Sequence, residues 1–484
     1  MTVLDVPGRI WYALVVIFYM ALMMFIGYIA ARTTKSEDDY WVGGRKFGIG
    51  VLSGTFGATF ISAVTMLGSP SWGYRIGWSF WNIGHGTWVG PLIMVVTAHY
   101  FIRFVGYTVP DILEARYGPK ARPLSAIVAL FGSFGYTGLQ TMAMGTVLSG
   151  IMGWDLTWSI ILSAGVVIAY TVWGGMKAVA WTDCVQFVML LIGMFVTAIV
   201  AAYSVGGLTA LNTKIAAIGA GYISPTGPYG SFWILLGMAV AFGIGNPSQP
   251  AYLVRAFSAK NISSIRIALG IGTLANVLCI GAGVVIGMAA RIILGEGIKP
   301  YDNVFPAMVV NLFHPIFGGF VIAAIIAAIM STADSFLLVS GVTISRDFYQ
   351  RYINPEATQA QLIRVSQWTT LIVGAAGLIL ALTYSKGVML LGAYVFGTVA
   401  AGFFVPLYIG LFWRRANNFG GCLAIVVGFL GTFLFTYWKV FPKIHPIIIG
   451  VILSAIAYVI GTYLTKPDPE RTKAFMERIG RGKA

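Results

Sequence analysis

The sequence predicts an all-α polytopic membrane protein, and three observations carry that prediction. Of its 484 residues, 58% are hydrophobic and only 10% are charged, whereas ordinary soluble domains charge about a quarter of their positions. Apolar runs of about 20 residues, the length that crosses a bilayer as a helix, recur along the whole chain. The 60 glycines suit close helix packing and helix breaks in lipid, as in Gly50-x-x-x-Gly54 and Gly283-x-x-x-Gly287. The longest hydrophilic stretches, around 206–229 and from Lys466 onward, are too short to hold a soluble core.

Taken in order, the runs predict thirteen spans, near 10–31, 48–72, 78–102, 123–150, 157–177, 181–205, 230–254, 265–293, 315–345, 365–384, 387–413, 419–438 and 444–464. The first is longer than the apolar core of a signal peptide and is followed by Arg32 and Lys35, so it is expected to stay attached as a membrane helix. Charge agrees with thirteen crossings. With the N-terminus outside and the C-terminus in the cytoplasm, 23 of the 31 Lys and Arg residues fall on the cytoplasmic side and 8 outside, the asymmetry that orients membrane chains. That cytoplasmic set includes Arg116, Arg122 and Arg255, read as loop residues, and six in the basic tail. The formal net charge of +15 is therefore dispersed over short loops, where it orients the chain and meets anionic headgroups of the cell membrane. It is not a nucleic-acid signal, and no obligatory protein partner is predicted.

Two spans are interrupted. The second carries Gly54, Gly57, Ala58-Thr59-Phe60-Ile61-Ser62-Ala63 and Thr65. The seventh carries Gly243-Ile244-Gly245-Asn246-Pro247-Ser248-Gln249-Pro250, whose two prolines each delete a backbone donor. Helix breaks at membrane depth are tolerated where the freed backbone groups line a cavity or find other partners. A five-span step separates the two and inverts their orientation, which predicts two inverted repeats of five helices with a central site between the broken ones. The expected organisation is an N-terminal helix and loop at 1–47, repeats at 48–205 and 206–413, two further helices at 414–464 and a basic tail at 465–484.

Polarity inside apolar helices marks candidate sites. Ala327-Ala328-Ile329-Met330-Ser331-Thr332-Ala333-Asp334-Ser335 places hydroxyls and a carboxylate in the middle of a long apolar helix, and residues 328, 331, 332 and 335 share one face. A lone hydroxyl there can simply bond back to the carbonyl four residues earlier. Together with carbonyls freed near Ala58 and Ile61, the run instead supplies an oxygen cage for a hard monovalent cation such as sodium. Asp183, in Gly174-Gly175-Met176-Lys177-Ala178-Val179-Ala180-Trp181-Thr182-Asp183-Cys184-Val185-Gln186, is either a helix N-cap or a waypoint that joins Asp334 in a second cation or proton site. His85 and Gln140 either face a cavity or are satisfied packing residues. Cys184, Cys279 and Cys422 lie far apart in apolar segments and read as packing residues. No nucleotide loop and no nucleophile with its base is present, so neither an enzyme nor ATP-driven transport by this chain is predicted, and no organic cofactor is implied.

These motifs, with Gln249-Pro250, Arg255, Lys260 and Arg346-Asp347-Phe348-Tyr349, resemble the sodium/solute symporter family, which includes proline, pantothenate, monocarboxylate, sialic acid and sugar symporters. The resemblance spans essentially the whole chain. It implies a LeuT-like inverted 5+5 repeat, alternating access, and a sodium site made by backbone oxygens of Ala58, Ile61 and Ala328 with the hydroxyls of Ser331 and Thr332. It also implies a second cation site at Asp183, Ser331, Asp334 and Ser335, and solute contacts at Thr65, His85, Gln140, Asn246, Gln249 and Tyr394. Phe60 departs from the acidic residue of proline-type members and the polar residue of sugar-type members, which counts against those substrates. A small organic acid such as a monocarboxylate or pantothenate is the expected solute, with proton coupling or proline uptake as the alternatives.

Overall fold

The computed structural model describes residues 6–225, 227, 232–384, 387–438 and 444–481, apart from the side chains at 82–85, 170 and 173. Among them the chain is helical, and the one β contact is an isolated bridge between Phe47 and Ala259. Lipid favours this outcome, because a helix satisfies its own backbone groups without water. Among the described residues, eight helices are long and apolar enough to cross a bilayer: Arg9–Arg32, Gly174–Ser204, Ile262–Ile293, Pro315–Ile353, Gln359–Thr383, Val388–Leu411, Asn418–Trp438 and Pro446–Leu464. Two bent pairs, Ile49–Phe60 with Val64–Phe80 at 51° and Gly86–Phe104 with Val109–Tyr117 at 77°, raise the number to ten. The sequence also placed spans where the structure has Ala121–Met152, Leu156–Ala169 and Phe232–Ser248; the first has a polar middle and the others are short.

Burial separates centre from periphery. In Pro315–Ile353 and in Val388–Leu411, 83% of the most apolar window is buried inside the protein, against 28% for Arg9–Arg32. The first two form the centre, and the last turns Ile17, Phe18 and Phe25 outward to lipid.

Three irregularities position the site. The Ile49–Phe60 helix stops at Ile61 (φ −88°, ψ 82°), and the chain resumes as a wide π turn at Val64–Gly68. Donors freed by this break are caught by side chains: Gln140 Oε1 accepts from the Ala63 N–H at 3.3 Å and Ser62 Oγ from the Val64 N–H at 3.2 Å. In the second broken segment, Pro250 holds Gln249 extended (φ −75°, ψ 125°), because a proline ring disfavours helix in the residue before it. The third irregularity corrects a boundary. Leu156–Ser204 is one helical run with a corner at Gly175 (φ 59°, ψ −173°), where the sequence placed the junction between 177 and 181. A side chain there would meet the Tyr40 ring at 2.7 Å and would have to adopt a left-handed backbone.

The half after that corner packs directly on the first broken helix. A methyl group at Gly54 would stand 2.7 Å from the Cys184 sulfur, and one at Gly57 would stand 2.1 Å from the Phe187 ring. Arg116 and Arg122, counted by the sequence as loop charges, are buried at one end of the helices. Arg122 bonds Asp111, Glu114 and Asp347, and so ties the short Val109–Tyr117 helix to the Thr343–Ile353 segment.

Candidate cation and solute site

Ala58 and Thr59 lie in the last turn before the first break, where helix carbonyls lose their intrahelical partners. The central Pro315–Val342 helix answers them. Ser331 donates its hydroxyl to Ala58 O at 3.0 Å and lies 3.1 Å from Ala328 O; Thr332 donates to Ala328 O at 3.0 Å and lies 3.4 Å from Thr59 O. Ala58, Ala328, Ser331 and Thr332 are fully buried, as is Ile61, the residue at which the helix ends. Neutral carbonyl and hydroxyl oxygens from two helices thus converge in one small volume. Such a set suits a hard monovalent cation; calcium sites draw on carboxylates.

One helical turn away the protein supplies a cation of its own. Arg255 is 1% exposed. Its Nη2 donates to Ser335 Oγ at 2.6 Å and to Asp183 Oδ2 at 3.2 Å, its Nε to Thr55 Oγ1 at 2.9 Å, and its Nη1 to Ala251 O at 2.7 Å. Thr55 donates its hydroxyl to the same Asp183 oxygen at 2.5 Å. Ser335 in turn donates to Ser331 O at 2.7 Å, so a chain of bonds runs from the guanidinium to the cation cradle. Arg255 is therefore not a loop residue. Pro250 restarts the helix immediately after the break, which leaves Arg255 about one and a half turns inside it. Asp183 is not a helix cap either, since it lies about two turns past the Gly175 corner. Its Oδ1 has no hydrogen-bond partner among the described residues. Asp334 is fully buried, its Oδ1 lying 3.2 Å from Ser335 Oγ.

Beside the break lies a cavity of about 30 Å³, walled by Thr65, Tyr136, Asn246, Asn276, Met389 and Phe396 among others. Thr65 donates to Asn276 Oδ1 at 2.9 Å and Asn246 donates to Thr87 O at 3.3 Å. Tyr136 shares a 3.0 Å hydrogen bond with Ser62 and stacks on Phe396 at 4.6 Å between centroids. The volume suits a water or two, well below the several hundred Å³ of an organic ligand site. Met389 also lines a wider pocket of about 460 Å³ with Trp72, Arg75, Lys299, Tyr301 and Asp302.

The solute residues named from sequence divide accordingly. Thr65 and Asn246 line the cavity. Gln140 is buried behind it, bonded to the break. Gln249 is buried at the second break, with both side-chain polar atoms unpartnered among the described residues. Tyr394 stands apart, half-buried and stacked on His445 at 5.2 Å. The His85 side chain lies outside the described residues. Sequence reasoning missed Tyr136, Asn276, Met389 and Phe396. Asn276, a polar residue within an apolar span, could have been found by the logic that singled out Ser331; the aromatic wall carries no such signal.

The model of the sodium:solute symporter family matches residues 40–428 of this chain. The chain belongs to that family. Family membership makes it a sodium-coupled secondary transporter of small solutes. It is 27% identical over 463 residues to the osmoregulated proline transporter OpuE of Bacillus subtilis, covering 93% of this chain and 94% of that protein. It is 28% identical over 478 residues to the sodium/pantothenate symporter of Escherichia coli, covering 94% and 96%. A solved Na+-coupled sialic acid symporter, in a substrate-bound outward-open state, matches with a TM-score of 0.81 at 22% identity, covering 94% of this chain and 98% of that one. That likeness speaks for the fold alone.

Proposed function

We propose that this chain imports a small carboxylate-bearing solute, an organic acid such as a monocarboxylate or pantothenate, by symport with one sodium ion. The observation that carries the reading is the cradle: Ser331 and Thr332 hydroxyls set against carbonyls of Ala58, Thr59 and Ala328 at the broken helix. Sodium held by Ala58, Ile61, Ala328, Ser331 and Thr332 would bridge the two helices, favour the outward-open state and raise solute affinity, and the solute would raise sodium affinity by the same factor. Thr65 and Asn246 contact the solute, with Gln140 and Gln249 shaping the breaks and Tyr394 at the margin. A single sodium is proposed, in place of the second site at Asp183, Asp334 and Ser335, because the Arg255 guanidinium already bridges Asp183 and Ser335.

The proposed architecture is thirteen spans in the plasma membrane, N-terminus outside and C-terminus inside, with inverted repeats at 48–205 and 206–413 between the flanking segments 1–47, 414–464 and 465–484. Proline is the second reading, favoured by proline transporters among the relatives at 27% to 28% identity. Phe60 weighs against it: it lines the cavity, edge-on to Tyr252 at 4.5 Å, where no charge would meet an amino group.

Counterflow of radiolabelled pantothenate, lactate and L-proline in proteoliposomes, with sodium and pH gradients imposed separately, tests the reading. Uptake driven by sodium at equal pH is expected. Uptake driven only by a proton gradient would transfer coupling to Asp334, and uptake indifferent to sodium would overturn the proposal.

A further inference from the structure

The pocket outside Met389 contains a guanidinium arranged like a receptor. Arg75, in the last turn of Ser69–Ile76, stacks on the rings of Trp72 at 4.7 Å and Tyr301 at 4.8 Å. Trp72 is itself stacked on Phe80 at 5.9 Å, so the platform is braced. Stacking engages the face of a guanidinium and leaves its N–H edge available. Among the described residues nothing accepts a hydrogen bond from that edge, and no carboxylate forms an ion pair with it. The neighbouring Asp302 is buried and close enough for its charge to feel Arg75, but it forms no ion pair with it, and its Oδ2 accepts from the Val388 N–H at 3.2 Å. Lys299 lines the same pocket. A planar cation stacked on two rings, on the wall of a pocket of about 460 Å³, offers the fork geometry that a carboxylate takes.

We propose that Arg75, with Lys299 beside it, forms an outer site that holds the carboxylate of an entering organic acid or amino acid before Met389 yields and admits it to the central cavity. The site would raise the local concentration of anionic solutes and disfavour neutral analogues of the same shape. This inference rests on the symport reading for its purpose, but its chemistry can be tested without transport.

Two measurements on the full-length protein decide it. In detergent and without sodium, phenylglyoxal modification of Arg75, followed by mass spectrometry, should be slowed several-fold by pantothenate or L-proline and left unchanged by panthenol, the uncharged alcohol of pantothenate. In proteoliposomes, Arg75→Gln should raise the KM for the transported carboxylate about tenfold with the maximal rate nearly unchanged, and Arg75→Lys should fall between, since it keeps the charge and loses the fork. Equal protection by panthenol and pantothenate, or an unchanged KM in Arg75→Gln, would reduce Arg75 to a structural stack and overturn the proposal. If no uptake depends on sodium, the symport reading fails, while the protection experiment still decides the outer site.

Discussion

Two buried arginines, Arg122 and Arg255, do different work in this protein. Arg122 is held by three carboxylates, Asp111 at 2.7 Å, Glu114 at 2.5 Å and Asp347 at 2.7 Å, and Arg346 and Arg351 join the same cluster from the Thr343–Ile353 segment. Arg255 meets one carboxylate, Asp183 at 3.2 Å, and otherwise neutral oxygens. The first cluster balances three cations with three anions and joins a short helix to two long ones. The second is bonded through Ser335 to the backbone of Ser331, a proposed sodium ligand. Burial alone therefore does not set the duty: Arg122 ties elements together, and Arg255 positions the cradle.

The largest effect is expected at Arg122. Arg122→Ala strands Asp347, which is fully buried, and should cost about 3 to 5 kcal/mol, read as lost expression or a lowered melting temperature. The double change with Asp347→Asn should recover part of the loss, and sodium half-saturation in the folded fraction should not move. Arg255→Gln strands Asp183 and should cost about 3 kcal/mol, but here the sodium half-saturation should change as well. A stability loss with unchanged sodium dependence would make the two arginines equivalent and break the comparison.

Asp302 sharpens it, as a buried carboxylate with no bonded guanidinium. Burial pushes its carboxyl up to about 6, against the opposing pull of the Val388 N–H and Arg75. A carboxyl whose folded value lies above its unfolded one binds more protons when folded, so its cost to stability is full above pH 6 and fades as pH falls toward 4. Asp302→Asn retains an acceptor for Val388 and should stabilise the protein at pH 7 by about 1 to 2 kcal/mol, with no gain at pH 4. An equal gain at both pH values would contradict this origin. The smallest change is expected in the cradle. Ser331→Ala or Thr332→Val each removes one hydroxyl and should weaken sodium about tenfold, near 1.4 kcal/mol, while the near-isosteric Thr332→Val leaves the fold close to intact.

Much of this site was legible because it violates its surroundings. Ser331, Thr332 and Asp334 interrupt an apolar helix, and Gly243 to Pro250 cannot form an uninterrupted one. Arg255 was misread for a physical reason: counting basic residues assigns a charge to whichever side its loop belongs, and that count cannot see a helix restarting at Pro250 and carrying the side chain inward. The Gly175 corner was missed by a few residues because the apolar pattern runs through it. Tyr136 and Phe396 form the cavity wall, yet they are two of 23 tyrosines and 31 phenylalanines, and only the packing of distant helices selects them.

The central claim is that sodium binds between the broken helix and Ser331–Thr332, and it is testable before the solute is known. A ligand that binds the folded state raises its apparent stability with concentration. Melting of the purified protein in sodium chloride against potassium chloride at equal ionic strength should show a sodium-specific upward shift in the wild type and in Asp302→Asn. The shift should be lost in the Ser331→Ala/Thr332→Val double variant. Equal melting in the two salts, or a sodium shift that survives in the double variant, would contradict the account.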